Sequence, residues 1–404
     1  MSARVQVHAA DIGGCGHYRL IWAASALFYA GADVELIVPG DPGAAFNCAP
    51  DVGDALARFA GLASSSSSSA PKLKGINQLP DADVVVLQRP LTRTLLDVVK
   101  FLQAAGKAVV IEVDDDFRTI DPANVAFRTV HPKHSPERNW TYLAEACQLA
   151  DMVTVTTPAL AARYGAHGRV RVIPNMVPSS YLHILTDPHD TLRVGWTGTI
   201  DTHPRDLQVT RGAVARTLRR HDLTFHLVGS GRYRPRDPVT GLELVDDTGA
   251  PLELVDDRLV AALGLADGQT FAHTGGWLPL EKYPKAVAEL DIGVVPLDDT
   301  AFNEAKSHLK GLEFAAVGRP FIATPTGPYR QLAAAGIGLL ADRPRQWETH
   351  LTRLIRDEDY RLELGEQNRR AVAAGYVIEN NLDRWADAWD ASLEHAARRR
   401  KVSA

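Results

Sequence analysis

The sequence predicts an α/β protein of two Rossmann-like, doubly wound domains. Three observations carry that expectation. Short apolar runs alternate with helical patterns along the chain, as parallel sheets built from βαβ units require. A strand, a glycine-bearing turn and a helix start occur once in each half: Val5–His8 runs into Asp11-Ile12-Gly13-Gly14-Cys15-Gly16, and Leu192–Trp196 into Thr197-Gly198-Thr199. The 404 residues suffice for two domains of ordinary size, and an aperiodic, proline-bearing stretch from Val177 to Asp190 separates the halves. The expected division is 1–185, 186–376 and a final helical segment, 377–404.

Composition narrows the function classes. Hydrophobic residues make up 45% and charged residues 23%, the balance of a soluble globular chain. A formal net charge of −5 gives no general attraction to nucleic acid or anionic lipid, although a local basic site fits within it. Three widely spaced cysteines, Cys15, Cys48 and Cys147, read as reduced thiols and not as a disulfide framework or metal site. The N-terminus runs directly into a strand, and no apolar run is long enough to span a bilayer. The expectation is a cytoplasmic protein without signal peptide or membrane span.

In the first half, Val5–His8 reads as a strand, Leu20–Ala30 as an amphipathic helix and Val34–Val38 as a strand. The intervening glycines let backbone N–H groups approach a phosphate, so Gly14 and Gly16 are candidates; the alternative is a plain tight turn. A dinucleotide fingerprint needs a third glycine near Arg19, which is missing, so NAD is not expected. From Pro39 to Pro80 the pattern is irregular, and the run Ser64–Ser69 reads as a solvated loop. Val84–Leu87 is a buried strand, Leu91–Ala105 a helix and Ala108–Val113 a strand that ends in Asp114-Asp115-Asp116-Phe117. Carboxylates at the C-terminal edge of a strand sit where α/β proteins bind ligands. They can hold a divalent cation, form a solvated turn, or contact a substrate through Asp115 or Asp116. Three adjacent carboxylates repel one another and need a compensating partner, which favours a ligand over an idle turn. Trp140–Ala150 reads as a helix, with Met152–Thr156 and Val170–Pro174 as further strands.

The second half repeats the arrangement. After Leu192–Trp196 comes the loop Thr197 to Leu207, containing Thr202-His203-Pro204-Arg205-Asp206-Leu207, and then a helix to Arg220. Thr224–Val228 is a strand ending at Gly229-Ser230-Gly231. Two copies of Leu-Glu-Leu-Val-Asp-Asp, Leu242–Asp247 and Leu252–Asp257, joined by Thr248-Gly249-Ala250-Pro251, read as a hairpin within an insertion over 232–259. Its paired aspartates suit calcium or, more simply, a solvated edge. Thr270–His273, Ile292–Val295, Phe321–Thr324 and Gly338–Leu340 complete the strands, with helices over Leu280–Leu290 and Pro344–Arg356. Gly275-Gly276-Trp277-Leu278-Pro279 is a turn whose Trp277 either stacks on a base or belongs to the core. The last helix, about Asn381 to Arg400, carries Trp385 and Trp389 at i,i+4.

The segment Phe302 to Thr324 carries the most chemistry. Leu309, Leu312 and Ala316 give one helix an apolar stripe, while Lys306, Lys310 and Glu313 recur at i, i+4 and i+7 on another face. Gly318 and Pro320 stop that helix before a buried strand. Lysines beside free helix N–H groups suit a phosphate and a carboxylate one turn deeper suits ribose hydroxyls; an exposed helix with a Lys–Glu pair accounts for the same residues.

Glu313-Phe314-Ala315-Ala316-Val317-Gly318-Arg319-Pro320 resembles the nucleotide-sugar motif of GT-B glycosyltransferases related to family 4. The first glutamate of that motif falls at Ala305, with Glu304 as its neighbour. Val172-Ile173-Pro174-Asn175 resembles the end of the GT-B N-terminal domain. The acidic triplet and the Thr-His-x-x-Asp-Leu element are similar to those of a phage and bacterial subgroup. The resemblance implies a GT-B fold: two domains facing across a cleft, with the C-terminal helix crossing back to the first and anchored by Trp385 and Trp389. It implies a glycosyltransferase, hexosyl or pentosyl, that moves a sugar from a UDP- or GDP-sugar to an acceptor hydroxyl, with retention and without metal or other cofactor. Lys310 and Arg205 would neutralise the leaving diphosphate, with Lys306 assisting. Glu313 would hold the ribose. Gly14, Gly16, Gly198, His203, Trp277 and Ser307 complete the expected donor site, and Asp115 or Asp116 would serve transfer. In such enzymes the leaving phosphate oxygen takes the acceptor proton, so no strong protein base is required. The acceptor is open among a virion protein, modified DNA, a lipid and a small glycoside, and a phage origin would place the protein in the host cytoplasm. Two rivals remain: an epimerase of the same fold, and a non-catalytic sugar-nucleotide or glycan-binding protein suggested by Ala305.

Overall fold

The computed structural model describes residues 3–39, 80–186, 189–233, 237, 240, 242–247, 249–250, 252, 254–266, 269, 271–274 and 278–403. The serine run, Cys48 and Trp277 lie outside these residues. The chain divides into two compact units. The first comprises Met1–Pro178, Glu304–Ser307 and Gly375–Ala404, and the second Ser179–Asn303 and His308–Ala374. The division falls at Pro178, ahead of the sequence boundary at 185, because the short helix Ser179–His183 buries Tyr181 in the second unit. Val177 pairs with Val377 within the first.

The first unit is a six-stranded parallel sheet built from β1 (Val5–His8), β2 (Val34–Ile37), β3 (Val84–Gln88), β4 (Ala108–Val113), β5 (Met152–Val155) and β6 (Val170–Val172), in the order β2-β1-β3-β4-β5-β6. Every residue of β1, β3, β4 and β5 is buried, as expected of valine-rich strands covered on both faces. The chain leaves β1 for β2 on one side and returns to β3 on the other, so the switch point lies between β1 and β3. In open α/β sheets that is where ligands bind.

The final helix, Asp383–Ser403, returns to this unit. Trp385 and Trp389 are fully buried among Val5, Val7, Val84 and Val110, and the Trp385 indole donates to the Arg19 carbonyl at 3.1 Å. Both rings thus anchor the helix, and truncating either to alanine would cost about 3–5 kcal/mol.

The second unit holds β7 (Val194–Thr199), β8 (Phe225–Ser230), β9 (Arg232–Tyr233), β10 (Leu254–Val255), β11 (Phe271–Thr274), β12 (Ile292–Val295), β13 (Phe321–Ala323) and β14 (Leu339–Leu340). Six form a parallel sheet in the order β11-β8-β7-β12-β13-β14, with its switch point between β7 and β12. Trp196, Phe225, Ile292, Val294, Trp347 and Leu351 belong to its core.

Three elements depart from the sequence reading. The first helix begins at Gly14, not Leu20: Gly14–Gly16 continues through a π-helical stretch, His17–Ile21, into Trp22–Tyr29. The Leu-Glu-Leu-Val-Asp-Asp repeat is not two equivalent hairpin arms. Leu252 N still bonds to Leu244 O, but Leu254–Val255 pairs antiparallel with Arg232–Tyr233. Asp256 then caps the helix Asp257–Leu263, accepting from Arg258 N at 3.0 Å. Leu259, Ala262 and Leu263 enter the core, so the insertion stops short of that helix.

The third departure matters most. The helix expected to carry Lys306, Lys310 and Glu313 on one face is two helices, Ala301–Ala305 and Leu309–Ala316. The Thr157 hydroxyl donates to the Ala305 carbonyl at 2.8 Å, taking an acceptor that a continuing helix would use. Asn175 Nδ2 donates to Ser307 Oγ at 2.8 Å. Lys306 and Ser307 therefore belong with the first unit, and Lys310 and Glu313 with the second.

Candidate functional site

In the second unit the site is built at the end of β7. Gly198 has φ +145°, which L side chains avoid, and a Cβ there would lie 2.9 Å from Lys310 Nζ and 3.0 Å from the Trp196 ring. Glycine is what lets the lysine cross the strand end. Lys310, in the first turn of Leu309–Ala316, donates to the Thr197 carbonyl at 2.8 Å and lies 5.5 Å from the Trp196 ring centroid. One turn further, the buried Glu313 accepts from the Tyr283 hydroxyl at 2.9 Å. Burial, and then the Glu313 charge, push the Tyr283 hydroxyl well above its usual range, so it stays a donor.

His203 and Asp206 are both buried on the loop after β7, with Nδ1 and Oδ2 2.6 Å apart. The other Asp206 oxygen accepts from Asn303 Nδ2 at 2.7 Å and from Asp298 N at 2.9 Å. The His203 ring meets Trp196 edge-on at 5.8 Å. Arg205 is 53% exposed, with Nε 3.6 Å from Asp298 Oδ2.

In the first unit, the glycine turn after β1 is filled by the chain itself. Asp11 Oδ1 accepts from Gly13 N at 2.8 Å and from Gly16 N at 3.1 Å. A Cβ on Gly16 would fall 1.8 Å from the Asp11 carbonyl oxygen, so that glycine is dictated by the turn. Arg89, at the end of β3 with φ +51°, grips Asp114 through Nε and Nη2 and reaches Asp11 at 3.4 Å. Burial pushes the Asp114 carboxyl up, but the Arg89 charge and hydrogen bonds outweigh it and hold it low. Asp116 is equally committed: Arg163 Nε lies 3.2 Å away, and Thr119 Oγ1 donates at 2.9 Å. Asp115 differs. Burial pushes its carboxyl up, the Lys306 ammonium opposes the rise, and the Asp114 charge reinforces it, leaving it raised. Beneath the triplet, Arg19 and Glu112 form a buried ion pair at 2.7 Å, and Arg19 also binds the Ile173 carbonyl and Asn175 Oδ1.

The structure thus brings Gly198 and Lys310 together, with Glu313 one turn on and His203 edge-on to Trp196, all in the second unit. It groups Asp115 with Lys306, and Gly14 and Gly16 with Asp11, in the first. Arg89, Tyr283, Asp206 and Asn303 are not among the candidates read from the sequence. A charged residue closing a buried strand marks Arg89, and the i,i+3 spacing of His203 and Asp206 was already in view. Tyr283 and Asn303 carry no local signal. Among the described residues, no group of three or more His, Cys, Asp or Glu is placed to hold a metal ion, and no helix is long and apolar enough to cross a membrane.

Two parallel, doubly wound units with a C-terminal helix returning to the first define a GT-B fold. Residues 191–357 match the family model described as "Glycosyl transferases group 1". Three solved structures share the fold over almost the whole chain. Anabaena HepE in complex with UDP and glucose is 15% identical, at TM-score 0.55, covering 95% of this chain and 98% of that one. Sucrose-phosphate synthase from Thermosynechococcus elongatus is 18% identical at TM-score 0.55, covering 99% and 98%. An E. coli trehalose-6-phosphate protein bound with UDP-2-fluoro glucose is 11% identical at TM-score 0.55, covering 96% and 99%. No sequence among curated proteins matches the chain.

Proposed function

We propose that the protein is a glycosyltransferase related to family 4, moving a hexosyl or pentosyl unit from a UDP- or GDP-sugar to an acceptor hydroxyl with retention. The observation that carries this reading is Lys310: an ammonium held by a neutral carbonyl at the switch point, with a buried glutamate one turn deeper. That pair matches a diphosphate and a ribose in charge and spacing. The family match over 191–357 and the UDP-bearing neighbours support it. In this reading Lys310 and Arg205 neutralise the leaving diphosphate, Gly198 admits it to the backbone, and Glu313 holds the ribose. His203 lies beside the same site. Asp115, not Asp116, serves the acceptor, because Asp116 is already bound to Arg163.

No metal is required on this account. The donor side offers cations, and Asp114 and Asp116 are each occupied by an arginine. The acceptor is a virion protein, modified DNA, a lipid or a small glycoside, met in the cytoplasm.

The test is nucleotide release from UDP-, GDP-, ADP- and TDP-sugars, with and without cell extract, and with and without EDTA. Release that depends on extract and survives EDTA supports the proposal. Turnover of the sugar with no acceptor points to an epimerase, binding without turnover to a non-catalytic protein, and loss restored by Mn²⁺ to a metal-dependent enzyme.

A further inference from the structure

We infer that Asp206 is the positioning residue of the donor site, acting through His203; this rests on the donor-site reading proposed above. The argument begins at the switch point between β7 and β12, where the loops leaving the two strands flank the position at which α/β proteins hold phosphates. Asp206 belongs to the β7 side, yet its carboxylate is shared. Oδ2 faces His203 Nδ1 at 2.6 Å, while Oδ1 accepts from Asn303 Nδ2 at 2.7 Å and Asp298 N at 2.9 Å, both on the β12 side. One buried carboxylate therefore ties both loops to each other.

An ionised carboxylate only accepts hydrogen bonds, so its partner nitrogen on His203 carries the proton. Tautomer and ring plane are thereby set by Asp206, as a carboxylate sets the histidine of a metal or catalytic site. The ring so fixed packs edge-on against Trp196, and the Lys310 ammonium lies over that same indole. His203 and Lys310 are arranged around one rigid ring. Asp206 acts through the imidazole that, with Lys310, borders the diphosphate position.

The experiment measures binding of UDP, GDP, uridine and guanosine to the full chain by calorimetry, for the unaltered protein and for Asp206→Asn, His203→Gln and the double variant. Asn keeps the shape but replaces one acceptor oxygen by a donor, so it cannot serve both loops. The diphosphate that binds the unaltered protein should weaken roughly tenfold with Asp206→Asn, the scale of one charge-assisted hydrogen bond, while the matching nucleoside stays within about twofold. The double variant should be no weaker than His203→Gln alone, because the effect passes through the histidine. A merely structural role predicts equal losses for diphosphate and nucleoside, and that result overturns the inference. So does a full additional loss from Asp206→Asn in the His203→Gln background. Asn303→Ser, which loosens the same carboxylate from the β12 side, should weaken the diphosphate about threefold. Unchanged affinity there also counts against the inference, even if Asp206→Asn fails to fold. If the unaltered protein binds no diphosphate, the donor-site reading falls and this inference with it, an outcome distinct from the others.

Discussion

The two units share one architecture, and each places a glycine-bearing turn at the switch point of a parallel sheet, but they use it in opposite ways. In the first, the N–H groups of Gly13 and Gly16 are taken by Asp11, and the nearby cation, Arg89, is held by Asp11 and Asp114. The chain supplies its own anions. In the second, the cation crossing the strand end is Lys310, which donates to the Thr197 carbonyl and lies over the Trp196 ring. Equivalent folds thus set an arginine between carboxylates at one switch point and a lysine against a carbonyl and an indole at the other. The difference lies in where carboxylates fall relative to the glycine turn, not in the turn itself.

The sharpest way to break this comparison is Lys310→Ala. Removing the principal cation of the second site should lower transfer by about 10²-fold or more, the scale of losing one electrostatic donor, and weaken nucleotide-diphosphate binding with it. Kinetics with unchanged affinity and rate would show that the second site is no more open than the first.

Arg89→Ala tests the other side. It leaves the buried Asp114 carboxylate without its cation, so stability should fall by about 3 kcal/mol in denaturant titration, while diphosphate affinity stays within a few-fold. If nucleotide binding collapses in a variant that still folds, the first site is not self-contained. Gly198→Ala should give a smaller loss, on the order of tenfold in transfer, because a Cβ at φ +145° must displace Lys310 or Trp196. An unchanged rate would mean that the lysine's crossing is incidental.

The smallest expected effect concerns the acidic triplet. Asp115→Asn should cut transfer yet leave diphosphate affinity within a few-fold, whereas Asp116→Asn should mainly loosen Arg163 and Thr119. The pH dependence has a definite sign. The Asp115 carboxyl is raised on folding, so ionising it opposes the native state as pH climbs through the folded value. At pH 7 Asp115→Asn should therefore raise Tm by about 1–3 °C, and the gain should vanish at pH below the ordinary carboxylate range. A lowered Tm at pH 7 would mean that Asp115 is held as tightly as its neighbours.

Much of the cluster at the end of β7 is legible in the sequence because it rests on local rules. Gly198 after a buried strand and Lys310 with Glu313 at i,i+3 are properties of adjacent residues, and the structure puts them where an α/β sheet receives ligands. The misreadings share a cause. Lys306 was placed beside Lys310 by helical spacing, but Thr157, distant in sequence, bonds to the Ala305 carbonyl and the helix stops there. Gly14 and Gly16 have the composition of a phosphate turn, and only the fold shows the Asp11 carboxylate accepting from Gly13 N and Gly16 N. The second Leu-Glu-Leu-Val-Asp-Asp copy matched the first residue for residue, yet Asp256 became a helix cap because Leu259 and Leu263 had a core to enter.

By itself the sequence determined the α/β class, the strands and a final helix bearing Trp385 and Trp389 at i,i+4. Hydrophobic periodicity and glycine or proline punctuation act over a few residues, so these features need no partner to be read. The tertiary structure decided which charges are spent and which remain. Asp114 and Asp116 find Arg89 and Arg163, Arg19 finds Glu112, and Asp206 finds Asn303, each pair joined across residues that no local pattern connects. The electrostatic state of a side chain depends on the distance to opposite charges and on burial, and both are set only when the sheet and its loops are assembled.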